Sequence, residues 1–170
     1  MRFLPCLLVA AALYAAEPQY VSKAVMKIPQ GYRDWVFVGS NLGIGYSEAK
    51  PTDTKQFKNI YITPEAFRAY KATGRFPDKT MLVMEIYEAA TQAEPAKTGS
   101  FEGKYIGIEV AVKDRRAVDE VWAYYTFFAN GKPLAQAKAF PKAACHDCHA
   151  KHGTVDNTFV QFYPRLRDSD

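Results

Sequence analysis

Residues 104–113 read KYIGIEVAVK, and their polarity alternates at every step. Ile106, Ile108, Val110 and Val112 fall on one side; Tyr105, Gly107, Glu109 and Ala111 fall on the other. A period of two is the mark of a β-strand, because successive side chains of an extended chain point to opposite faces. A strand cannot bury its apolar side alone, so this run commits the chain to a sheet. On the second side, Glu109 lies between two very small residues. Gly107 and Ala111 leave room there for something bulky that is not a side chain.

Other segments repeat the extended signature. Residues 35–39, WVFVG, predict a strand that runs into a Gly- and Ser-rich turn over 39–47, with a loop at 48–55. Residues 56–62, QFKNIYI, alternate so that Lys58 shares a face with Ile60 and Ile62. Residues 79–88 carry Leu82, Met84 and Ile86 on one face, and Met81, Val83, Glu85 and Tyr87 on the other. Residues 121–128, VWAYYTFF, predict an aromatic strand before the turn Asn130-Gly131. Residues 158–164, TFVQFYP, predict a closing strand. Helical signals are fewer. Thr63 reads as an N-cap, with Pro64 in the first turn, Glu65 near the positive helix end, and a stop at Gly74 and Pro77. A short helix is expected near Tyr32–Trp35, and another over 141–153. Residues 91–103 read as a polar loop. The strands follow one another through short connections. The expected fold is therefore α+β, mainly β: a large antiparallel sheet with a few short helices.

The chain has 170 residues, enough for one domain, and 48% of them are hydrophobic, enough for a core. A formal net charge of +4, with no Lys/Arg run, argues against a nucleic-acid binder. Residues 1–16, MRFLPCLLVAAALYAA, carry one cation, Arg2, ahead of an apolar stretch, and read as a secretory signal peptide. The run is short for a bilayer span, so no membrane span is expected after processing. Residues 17–170 are then the exported domain, with a periplasmic location. Removing the leader removes Cys6 and leaves Cys145 and Cys148.

All three histidines, His146, His149 and His152, lie in one window with those two cysteines. Residues 145–149 read CHDCH, and C-x-x-C-H is the attachment signature of c-type haem. Two thiols at i and i+3 share a helical face, as addition to the two vinyl groups of one porphyrin edge requires. The following histidine then supplies the axial nitrogen. On this reading one haem c is bound covalently through Cys145 and Cys148 on a C-terminal helix, with His149 as the metal ligand. A redox dithiol would call for a strand-to-helix βαβ setting that the pattern lacks. A zinc site would have to crowd four ligands into eight residues, with poor tetrahedral geometry. No histidine exists outside this window, so the sixth iron position is open to a methionine, a lysine or no protein ligand at all.

GYRDWVFVG (31–39), NIYITPEAFRAYKATGRFPDKT (59–80), YIGIEVAVKD (105–114), CHDCH (145–149) and FVQFYP (159–164) together resemble the cytochrome P-460 and cytochrome c′-beta family. The resemblance implies an exported homodimer with a large antiparallel sheet and a distal site open to small nitrogen compounds. It implies a hydroxylamine-oxidising branch in which a lysine cross-links the haem. That position falls on Met84, and a thioether carries no amine, so the lysine link cannot form there. It also implies two distal groups: a basic residue matching Lys58 and a proton-transferring carboxylate matching Glu109. The plainer alternatives are an edge-exposed lysine and a solvated glutamate. The c′-beta branch lacks the link and binds nitric oxide in an apolar pocket capped by phenylalanine. Phe57 and the aromatics of 122–128 are possible caps here.

Three functions follow as expectations. The first is binding or conversion of nitric oxide or hydroxylamine at an open iron site, with Met84 in the distal wall. The second is hydroxylamine oxidation of the P-460 type, with Glu109 as proton acceptor. The third is electron transfer by a His149/Met84-ligated cytochrome. A redox partner protein is implied, but its identity is not.

Overall fold

A computed structural model describes residues 16–45 and 55–167. The leader expected over 1–16 and the loop expected over 48–55 lie, apart from Ala16 and Lys55, outside the described residues. Ten strands and two α-helices follow in chain order among the described residues. They are β1 (Tyr20–Ser22), β2 (Val25–Lys27), β3 (Val36–Leu42), β4 (Gln56–Ile62), α1 (Pro64–Thr73), β5 (Met81–Ala90), β6 (Phe101–Lys113), β7 (Trp122–Thr126), β8 (Phe128–Ala129), β9 (Lys132–Pro133), β10 (Gln136–Lys138) and α2 (His146–His152).

The main sheet has the order β3-β4-β5-β6-β7, every neighbour antiparallel. This is the mainly β, antiparallel architecture that the alternating segments predict. Both faces of the sheet are packed. Val83, Ile108, Val110, Val112 and Tyr125 point to one core, closed by Met26 and Ala137 of the small sheet β1-β2-β10. Ile60, Ile62, Leu82, Trp122 and Tyr124 point to the other, covered by Ala66 and Tyr70 of α1 and by Val160 and Leu166 of the C-terminal segment. Trp122 is 1% exposed. A side chain buried to that extent contributes about 2–3 kcal/mol of transfer free energy.

Helix α1 begins and ends as its sequence signals predict. Thr63 stands at the N-cap, although its hydroxyl makes no capping bond, and Pro64 follows it. Gly74 takes the left-handed conformation, φ 69°, and its N–H donates to Tyr70 O. Asn130 and Gly131, both at positive φ, form the turn between β8 and β9.

Three expectations are corrected. Residues 158–164 form no strand among the described residues; Val160–Phe162 is a 3-10 turn. Phe159 and Val160 are neighbours and both are buried, which a strand against one surface does not allow. Pro164 also lacks the N–H that a ladder would need. Strand β3 continues to Leu42 through residues expected to turn, because an edge strand tolerates Gly, Ser and Asn. Strand β6 starts at Phe101, inside the expected loop, paired with the end of β5. Strands β1 and β2 carry no strand signal in the sequence, because each has three residues, too few to show a period.

Candidate functional site

The Cys/His string folds as a 3-10 turn, Lys142–Ala144, followed by α2, with Cys145 at the junction (φ −132°, ψ −51°). Lys142 pairs with Asp147 in the first turn of α2. Cys145 is half-buried and Cys148 exposed, and neither is in a disulfide. Burial pushes the Cys145 thiol up, and the neighbouring Glu109 and Cys148 add to this.

His149 is held on three sides. Its ring centroid lies 4.3 Å from that of Tyr124 and 4.3 Å from that of Phe159. Its Nδ1 lies 3.0 Å from Asn157 O. A carbonyl can only accept, so the proton of the neutral ring sits on Nδ1 and Nε2 keeps its lone pair. Burial lowers the imidazole's pKa, Asn157 opposes this in part, and His146 lowers it further. The neutral ring with an available Nε2 is the form that coordinates a metal.

A cavity of about 480 Å³ lies between α2 and the sheet. From the helix side it is lined by Ala144, Cys145, Cys148 and His149, and from the sheet by Ile60, Leu82, Met84, Glu109 and Ala111. Phe140, Phe159 and Tyr163 complete the apolar wall. Met84 and Glu109 are direct cross-strand partners, so strand pairing alone sets them side by side. Burial raises the Glu109 carboxyl above its usual range, with a smaller opposing effect from Lys58. Across β6, Glu109 faces Thr126, whose buried hydroxyl has no hydrogen-bond partner among the described residues. Lys58 shares this sheet face but sits outside the cavity lining, opposite Ile86, with its ammonium on Ile44 O at 2.8 Å.

The open space expected beside Gly107 is corrected. A Cβ there would lie 2.4 Å from Phe128 Cδ1, so an aromatic side chain fills it. Phe128 thereby joins the face that carries Glu109. The sequence reading missed Asn157, Thr126 and Gly153. The Asp156-Asn157 pair, of the residue types that tolerate positive φ, was the signal for the first. Thr126 could have been found as the cross-strand partner of Glu109.

The residues present fit a haem. Two thiols one helical turn apart, an imidazole with an available nitrogen and apolar walls meet in one cavity of cofactor size. No three His, Cys, Asp or Glu side chains among the described residues converge as a metal cage. That geometry suits a ring-bound iron with one protein nitrogen better than zinc held by four side chains.

Fold and cavity together define a haem-binding protein built on an antiparallel sheet rather than on a helix bundle. The chain matches cytochrome P460 over residues 29–160, most of its length. It belongs to the cytochrome P460 family, whose proteins are haem proteins acting on nitrogen compounds. A comparison with curated proteins gives no match. No helix among the described residues is long and apolar enough to cross a membrane.

Proposed function

We propose that this chain is an exported, periplasmic mono-haem c protein that binds or converts small nitrogen oxides. Cys145 and Cys148 would hold the haem covalently, and His149 would give its iron a nitrogen ligand. Bound there, the haem supplies an iron centre that takes up nitric oxide or a similar small ligand. The surrounding side chains do the rest. Asn157 and Tyr124 orient His149. Ile60, Leu82 and Met84 exclude water from the sheet side. Glu109 sets a titratable carboxyl beside them, which burial shifts toward its neutral form.

The observation that carries this reading is the pairing of Met84 with Glu109 in the wall of the cavity that also holds His149. Reversible nitric oxide binding is favoured over hydroxylamine oxidation of the lysine-linked type. Met84 has no amine, and Lys58 is tied to Ile44 O outside the cavity lining. Processing of residues 1–16, homodimer formation and delivery of electrons by a partner protein complete the proposal.

The test is an absorption spectrum of the purified protein, ferric and dithionite-reduced, with and without nitric oxide. A high-spin haem c with ordinary bands that takes up nitric oxide supports the reading. A low-spin spectrum with a methionine charge-transfer band, indifferent to nitric oxide, replaces it with His149/Met84 electron transfer. A strongly red-shifted Soret band means a modified macrocycle and turns the case toward hydroxylamine oxidation.

A further inference from the structure

Asp156 and Asn157 are consecutive, and both are left-handed, with φ 47° and 58°. Thr158 N donates to Val155 O at 2.8 Å. The two residues therefore occupy the centre of a reverse turn of the kind dominated by Gly, Asn and Asp. Asp and Asn tolerate this backbone better than other residues with a Cβ, and neighbouring contacts hold it in place here.

The contacts that fix the turn centre on Asp156. Its Oδ2 accepts from Lys113 Nζ at 2.6 Å, and its Oδ1 accepts from Trp122 Nε1 at 3.3 Å. Lys113 is itself fixed by a bond to Phe76 O at 2.7 Å. The turn is thus fastened to β6 and β7. Gly153 lets it lie against α2: a Cβ there would be 2.7 Å from both His149 O and Thr158 N. One carbonyl, Asn157 O, emerges from this arrangement beside the cavity. It lies 3.0 Å from His149 Nδ1 and accepts from Tyr124 OH at 3.2 Å.

We propose that Asp156 is a positioning residue that, by anchoring this turn, holds the Asn157 carbonyl against His149 and sets the donor strength of the nitrogen facing the cavity. The inference rests on His149 being the axial ligand. An imidazole whose Nδ1–H donates to a well-placed acceptor is a stronger electron donor through Nε2. Stronger donation favours the oxidised metal. Losing the anchor releases the carbonyl, weakens that donation and raises the reduction potential.

The experiment uses the haem-loaded full chain. It reads the iron–histidine stretch of the ferrous protein by resonance Raman and the reduction potential by titration. Asp156→Ala is expected to lower the stretching frequency and raise the potential, with haem content unchanged. Asp156→Asn keeps an acceptor for Trp122 and loses the charge that faces Lys113; it should move both quantities in the same direction by less. It carries the test if the alanine variant does not fold. If a sixth ligand hides the stretch, the potential alone makes the comparison. Folded variants that melt earlier but keep the wild-type frequency and potential overturn the inference, leaving Asp156 a purely structural role. His149→Ala is the separate control. If it leaves the wild-type spectrum intact, the axial-ligand reading fails, and this inference fails with it.

Discussion

Met84 and Glu109 stand opposite each other across β5 and β6, and both line the cavity that holds His149. Ile60 precedes them and Thr126 follows in the same cross-strand row. A thioether, which cannot release a proton, therefore sits beside a carboxyl whose burial favours keeping one. The row supplies an apolar wall and a titratable carboxyl at adjacent points.

Met84→Ala tests the wall. The side chain is half-buried, so truncation is expected to cost about 1–2 kcal/mol, below the range for a fully buried methionine. The ferric spectrum should stay unchanged, and nitric oxide should bind faster in the enlarged space. Stopped-flow spectroscopy reads both. A low-spin to high-spin conversion would instead make Met84 an iron ligand.

Glu109→Gln tests the proton. A carboxyl whose pKa is raised in the folded state binds more protons there than in the unfolded chain. Its contribution to stability is therefore full at low pH. It is lost as the pH rises from the ordinary value of 4.5 through the raised folded value. Glutamine stays neutral and should flatten that decline. Urea unfolding of wild type and variant at a series of pH values measures it, and parallel curves would contradict it.

Gly107→Val tests the packing of Phe128. The new Cβ would fall within 2.4 Å of Phe128 Cδ1, so the ring or the strand must move. A cost of about 2 kcal/mol is expected, typical of overpacking. Adding Phe128→Ala should recover most of the loss attributable to the clash. A double-mutant cycle by thermal unfolding isolates the coupling.

Arg33→Met tests the opposite face. Glu85 is 2% exposed and accepts from Tyr32 OH at 2.6 Å and Arg33 Nε at 2.8 Å. Removing the cation leaves a buried carboxylate with the tyrosine. A loss of about 2 kcal/mol is expected, below the value for a fully buried pair because the Arg33 side chain is 60% exposed. Chemical denaturation of the variant checks it.

The central strands were legible because alternation survives wherever a sheet faces two different environments. The period of two in residues 104–113 is enough to put Glu109 and Ile108 on opposite faces. The Cys/His string was legible because its spacing is local. What escaped depends on distant partners. Phe128 fills the space above Gly107 only because β8 folds back over β6. Asn157 reaches His149 from a turn whose Asp156 pairs with Lys113, 43 residues earlier in the chain. The tail 158–164 misled because its apolar residues bury consecutively rather than alternating on a ladder.

Met84 and Glu85 are sequence neighbours pointing in opposite directions, one into the cavity and one into the tyrosine- and arginine-lined pocket behind it. Strand β5 is thus a partition with a different chemistry on each side. A slip of one residue in its pairing would send a carboxylate through to the cavity and strand a thioether against Arg33. The β5–β6 hydrogen-bond register is therefore as much a determinant of the site as any single side chain in it. An insertion or deletion within β5 should be far more damaging than most substitutions there.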